Sequence, residues 1–109
     1  MSLQRIGYNR YDETLKNDFI KAGRLLQRFN SVDYEDEKSK IQILTELFGS
    51  IGTRISIEHN FHCDLGYNIH VGENFYAGFN CTILGMAEVW IGDNCLIAPM
   101  TETIAVNYH

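Results

Sequence analysis

The sequence predicts a mainly β fold, a parallel solenoid of short strands, preceded by a short segment of two helices. Three observations carry this. Leu65, Val71, Ala77 and Ile83 fall six residues apart, and Ile91, Ile97 and Thr103 resume the count after one interruption. Residues two places earlier form a companion apolar set: Cys63, Ile69, Phe75 and Cys81, then Val89, Cys95 and Thr101. Gly66, Gly72, Gly78 and Gly92 each follow a member of the first set, where the chain must turn. Each hexad reads as a short strand plus a tight turn, and three hexads, about eighteen residues, close one triangular coil.

The elements follow in order. Residues 1–54 read as a helical segment and residues 55–109 as the coils. From Asp12 to Phe29, Leu15, Phe19, Ala22, Leu26 and Phe29 recur at threes and fours, one face of an amphipathic helix capped by Asp12 and ended by Asn30-Ser31. A second helix is predicted over Tyr34–Phe48, with Ser31 or Asp33 as its cap. Its apolar face is Ile41, Leu44, Leu47 and Phe48, and Gly49 stops it. Glu35, Asp36 and Glu37 crowd its first turn, where the helix dipole favours carboxylates. Two such helices would cover the strand edge that the first coil leaves open.

Coils begin near Arg54, since Arg54-Ile55-Ser56-Ile57-Glu58 alternates as a strand should. The step from Ile83 to Ile91 is eight residues, so a loop around Gly85-Met86-Ala87-Glu88 is expected to project from the coil. Asn80 and Asn94 occupy corners that need left-handed backbone. The pattern is still running where the sequence stops at His109, about three coils in, which reads as a unit shorter than the natural one.

Composition narrows the function. The net charge of −5 argues against nucleic-acid binding, which needs Lys and Arg against phosphates. All nine Lys and Arg lie at or before Arg54, and from Ile55 onward there are only carboxylates: Glu58, Asp64, Glu73, Glu88, Asp93 and Glu102. An anionic cofactor on the coils would therefore have to use backbone N–H groups or basic groups from elsewhere. No apolar run reaches the ~20 residues of a membrane span and no export leader opens the chain, so the cytoplasm is the expected compartment. Cys63, Cys81 and Cys95 share one inward slot of the hexad count and read as small buried hydrophobes, Cys63 stacking on Cys81. His59, His62 and Asp64 have metal-ligand side chains, but His59 falls in a wall slot and His62 on a turn, so their rings diverge and no metal site is expected. Tyr76 and Trp90 fall between inward positions and point outward.

The run Phe61-His62-Cys63-Asp64-Leu65-Gly66-Tyr67-Asn68-Ile69-His70-Val71-Gly72-Glu73-Asn74-Phe75 resembles the opening coil of the maltose and galactoside O-acetyltransferases. Ile91-Gly92-Asp93-Asn94-Cys95-Leu96-Ile97-Ala98-Pro99 resembles a later coil of theirs. Tyr11-Asp12-Glu13-Thr14-Leu15 and Leu25-Leu26-Gln27-Arg28-Phe29-Asn30 resemble the N-terminal segment of the maltose branch. The resemblance implies a left-handed parallel β-helix, a homotrimer with active sites between subunits, acetyl-CoA as co-substrate and a sugar acceptor. A His would take the proton from the sugar hydroxyl as it attacks the thioester. Aligned without gaps from Ala98-Pro99 that position is Tyr108, and a one-residue slip places His109 there. Asp64 matches a sugar-contacting position and Tyr76 an aromatic lining position. Gly78 stands where relatives have an Asn, and Gly85 or Met86 where they have a carboxylate that Glu88 could replace. The expected function is sugar O-acetylation; the alternatives are a trimeric solenoid without catalysis and a zinc hydratase.

Overall fold

The computed structural model describes residues 12–99. Two helices precede seven strands: α1 (Glu13–Ser31), α2 (Glu37–Leu47), β1 (Ile55–Ile57), β2 (Phe61–Cys63), β3 (Ile69–Val71), β4 (Phe75–Ala77), β5 (Cys81–Ile83), β6 (Val89–Ile91) and β7 (Leu96–Ile97). Successive strands do not pair. The chain visits three sheets in turn, β1-β4-β7, β2-β5 and β3-β6, all parallel.

In register, Ile55 lies beside Phe75, Phe61 beside Cys81 and Ile69 beside Val89, so one coil is twenty residues, not eighteen. The steps from β1 to β2 and from β3 to β4 are six residues, whereas the step from Phe61 in β2 to Ile69 in β3 is eight. Leu65 hides that longer step. It is apolar and buried at 3 % exposure, yet it belongs to the corner rather than to a wall. Cys63 therefore lies beside Ile83 and Cys81 beside Phe61, and the two cysteines do not stack. Cys81 is buried and Cys63 half-buried, and burial pushes their thiols up to about 11 and about 12 respectively, with the Asp64 carboxylate adding to the shift at Cys63. His62 sits at the centre of β2 and faces outward, not on a turn.

Most strands bury their first and third residues and turn the middle one out. Phe61, Ile69, Ile57, Cys81 and Ile83 are at most 1 % exposed. Each such aliphatic or aromatic side chain contributes roughly 1.5–3 kcal/mol on burial. Corners after β3, β4 and β6 carry Asn74, Asn80 and Asn94 at φ of 56°, 60° and 59°, a conformation Asn adopts more readily than other side-chain-bearing residues. Stacked corners are tied to one another: Asn74 Nδ2 donates to Asn94 Oδ1 at 2.9 Å, and Asp93 Oδ1 accepts from the Glu73 N–H at 2.8 Å. Glu73 Oε2 in turn accepts from the Thr53 N–H and hydroxyl, which hold its carboxyl below the usual range.

Asp12 caps α1, its carboxylate accepting from the Leu15 N–H at 3.0 Å. The second helix starts later than the sequence predicts. Asp33 instead closes a turn by accepting from the Glu35 N–H, and Asp36 is the cap, accepting from the Ser39 N–H at 3.1 Å and hydroxyl at 2.7 Å. Its buried face is Lys40, Ile43, Leu44 and Leu47; Ile41 faces out. Lys40 Nζ lies 5.7 Å from the ring centres of both Phe29 and Tyr34 and 3.6 Å from Glu37 Oε1, so ring faces and one carboxylate offset its desolvation. Gly49 lies beyond the helix end, its N–H donating to Ile69 O at 2.9 Å to begin the coil ladder.

The helices close the first coil in the way a strand would. Asn30 Nδ2 donates to Phe61 O at 2.9 Å, and Asn30 Oδ1 accepts from the Phe61 N–H at 2.9 Å. Phe29, Phe48 and Phe61 pack edge to face behind this pair. Replacing Asn30 by Ala would leave the Phe61 N–H and C=O without partners, so Asn30→Ala is expected to cost about 2 kcal/mol, on the order of 10 °C in Tm. Thermal unfolding followed by circular dichroism checks this.

Candidate active site

The two eight-residue steps stack. The corner Asp64–Asn68 of one coil lies under the corner Leu84–Glu88 of the next, and side chains of the first hold the backbone of the second. Asp64 Oδ1 accepts from the Leu65 N–H at 2.7 Å and from the Gly85 N–H at 2.5 Å. Asn68 Nδ2 donates to Gly85 O at 2.6 Å and to Met86 O at 3.3 Å. Gly85 is buried, and a Cβ there would lie 2.7 Å from Leu65 O. The loop expected to project freely is thus pinned at Gly85, and only Ala87 and Glu88 beyond it are exposed.

Each residue singled out in the sequence has a place in or beside this corner. Asp64 is half-buried, and its Oδ2 takes no hydrogen bond among the described residues, leaving one carboxylate oxygen for a hydroxyl. Tyr76 is the outward residue of β4, between Ser56 and Leu96 on the neighbouring coils. Glu88 reaches the next wall, where its Oε2 lies 2.7 Å from His70 Nε2. Tyr108 and His109 lie outside the described residues. Gly78 is pressed against Pro99: a Cβ would lie 2.6 Å from the Pro99 nitrogen, so an Asn there would displace the following coil.

Two features lay outside the sequence reading. Tyr67, at the first corner, donates to Asp18 Oδ2 at 2.9 Å, tying α1 to this corner; burial and then the Asp18 carboxylate push its phenol up to about 12. An outward imidazole, His70, lies flat on Trp90 with centroids 3.9 Å apart and planes 11° apart. Both contacts join residues forty-nine or twenty apart in sequence, and only the coil length reveals the second. His59 packs edge-on to Phe29, away from His62, and among the described residues no group of three or more His, Cys, Asp or Glu could hold a metal ion. Among those residues no helix is long and apolar enough to cross a membrane.

A helical cap on stacked parallel coils, with the long corner of the second coil pinned by side chains of the first, is the architecture to be compared with known proteins. Residues 7–52 match the family described as the maltose acetyltransferase hexapeptide capping motif. The structure is similar to a maltose O-acetyltransferase from Clostridium difficile 630 at 41% identity and a TM-score of 0.82, covering 84% of this chain and 49% of that one. A galactoside acetyltransferase in complex with coenzyme A matches at 33% identity and 0.81, over 91% of this chain and 52% of that one. A hexapeptide-repeat acetyltransferase from Vibrio cholerae O1 biovar eltor, complexed with acetyl-CoA, matches at 29% and 0.78, over 84% and 49%. The chain spans about half the length of the structures it matches. Both its helical and its coiled part carry the resemblance to the maltose/galactoside O-acetyltransferase family.

The pinned corner gives a prediction. Asp64→Ala orphans the Gly85 N–H and is expected to cost about 2–3 kcal/mol, since hydrogen bonds to a charged acceptor are lost. Asp64→Asn keeps Oδ1 as acceptor and is expected to retain most of that stability. Urea unfolding of the two variants separates a pinning carboxylate from a merely solvated one, which would show no difference between them.

Proposed function

We propose that this chain is part of an acetyl-CoA-dependent O-acetyltransferase that acetylates a sugar hydroxyl of the maltose, glucose or galactoside class in the cytoplasm. The observation that carries the reading is the joint match of cap and coils to sugar acetyltransferases, one of them holding coenzyme A and a related acetyltransferase holding acetyl-CoA. The helical segment 1–54 caps left-handed coils in 55–109, and three copies assemble with the sites between them.

A sugar hydroxyl is a weak nucleophile. His109, or Tyr108 if the register runs without a gap, stands at the position of the general base. An imidazole there takes the hydroxyl proton as the oxygen attacks the thioester carbonyl, and returns it to the departing thiolate. Asp64 Oδ2 orients the acceptor, Tyr76 lines its ring, and Glu88 supplies the carboxylate of the pinned corner. With no Lys or Arg in residues 55–109, the phosphates of acetyl-CoA are met by backbone N–H groups or by basic groups from elsewhere than this stretch.

A second reading, a trimeric solenoid without catalysis, is favoured by the crowding at Gly78, which leaves no room for the Asn of the relatives, and at Gly85, one of the two positions matched to their carboxylate. The test is CoA release from acetyl-CoA with glucose, maltose or a galactoside, beside His109→Ala. Sugar-dependent release that falls by ~100-fold or more in the variant is the expected result. No release from a folded chain with any of the sugars would count against the enzyme reading for residues 1–109 and select either the second reading or an incomplete chain.

A further inference from the structure

On the outer face of the β3-β6 wall three side chains are joined end to end. Ser50 Oγ lies 2.9 Å from His70 Nδ1, and His70 Nε2 lies 2.7 Å from Glu88 Oε2. They come from three levels of the structure: the link after α2, the first coil and the pinned corner of the second. We propose that Ser50, His70 and Glu88 form a second acyl-transfer site, sharing only Glu88 with the sugar site proposed above, in which Ser50 is the nucleophile towards small activated acyl donors such as aryl acetates and acetyl thioesters.

The geometry assigns each role. A carboxylate can only accept, so the hydrogen bond to Glu88 places the ring proton on Nε2 and leaves the Nδ1 lone pair facing the Ser50 hydroxyl. That is the tautomer a base needs. Relative to the Ser-His-Asp proteases the two ring nitrogens exchange places, which leaves the chemistry unchanged because the constellation is defined by roles. The ring is held in place: Trp90 covers one face of it, and the His70 side chain is only 16 % exposed. Gly49 permits that seat, since a Cβ there would lie 2.5 Å from His70 Cε1. Ser50 itself is exposed, so a donor can reach it from solvent. The N–H of Ile51, the residue after the nucleophile, has no hydrogen-bond partner among the described residues and can donate to an oxyanion.

The reaction balances without a cofactor. Ser50 Oγ forms a bond to the acyl carbon while its proton passes to His70 Nδ1. The tetrahedral intermediate collapses, the bond to the aryl oxide or thiolate breaks, and Nδ1 returns the proton to the leaving group. Water, deprotonated by the same imidazole, then releases acetate and restores Ser50.

The experiment is incubation of the full chain with p-nitrophenyl acetate, without CoA or sugar, reading the p-nitrophenolate burst and mapping acetyl groups by peptide mass spectrometry. The expected result is a burst of about one equivalent with the acetyl group on Ser50. His70→Gln, which keeps a polar side chain but no base, should slow acylation by ~100-fold. Glu88→Gln, which can donate to Nε2 and favour the wrong tautomer, should slow it measurably while Ser50 remains the acylated residue. His62→Gln, an exposed imidazole on the neighbouring wall, should leave the burst unchanged. Acetylation that spares Ser50 in the folded wild-type chain, or Ser50 acetylation as fast in His70→Gln as in wild type, would overturn the proposal and leave the three residues as a staple between levels.

Discussion

The structure depends on one side-chain amide. A parallel coil has two open ends, and at the first of them the backbone of β2 would face the helices with an unpaired N–H and C=O. Asn30 meets both at 2.9 Å, because a primary amide presents an N–H donor and a carbonyl acceptor side by side. The pair sets the height of α1 above the coil, and the apolar contacts follow. Phe29, one residue before Asn30, is fully buried against Phe61 and His59, and Phe48 approaches Phe61 from the end of α2. Without the amide, the same aromatic cluster could form only over an unsatisfied strand edge.

From that end, the coil length transmits position along the molecule. Thr53, Glu73 and Asp93 form one ladder; Ser50, His70 and Trp90 form another. Each is spaced by twenty residues because an eight-residue corner follows two six-residue steps in each coil. The longer corners carry the chemistry. In the first, Asp64 and Asn68 point up; in the second, the backbone of Gly85 and Met86 receives them. That contact fixes where Glu88 emerges, and so decides whether it can reach His70.

Much of this was legible in the residues. Alternation at Ile55–Ile57, the hexads from Ile69 to Ile83 and the turn asparagines place the walls correctly, since an inward slot tolerates only apolar side chains. The capping role of Asp12 is as legible, because Leu15 follows at the right distance. The eight-residue step after Cys63 was not, because Leu65 sits where a six-residue count wants an apolar residue and is buried for a different reason. That slip stacks Glu88 directly on His70 and Gly52 beneath it, so the Ser50 and Trp90 contacts stay invisible. Asn30 and Lys40 escaped for a common cause: their meaning lies in partners far along the chain, and at the sequence level one looks like a helix stop and the other like a solvated charge. For Asp64 the sequence could name a polar corner, and the fold adds which oxygen is engaged.

The claim that Asn30 acts as a surrogate strand is tested most directly by amide hydrogen exchange on the native chain. The Phe61 N–H is expected to be protected to the same order as the Val71 and Gly78 N–H groups, which donate to Ser50 O and Ile97 O on neighbouring levels. A Phe61 N–H that exchanges as fast as the Ile51 N–H, which has no partner among the described residues, would mean that aromatic packing alone holds the helices on the coil.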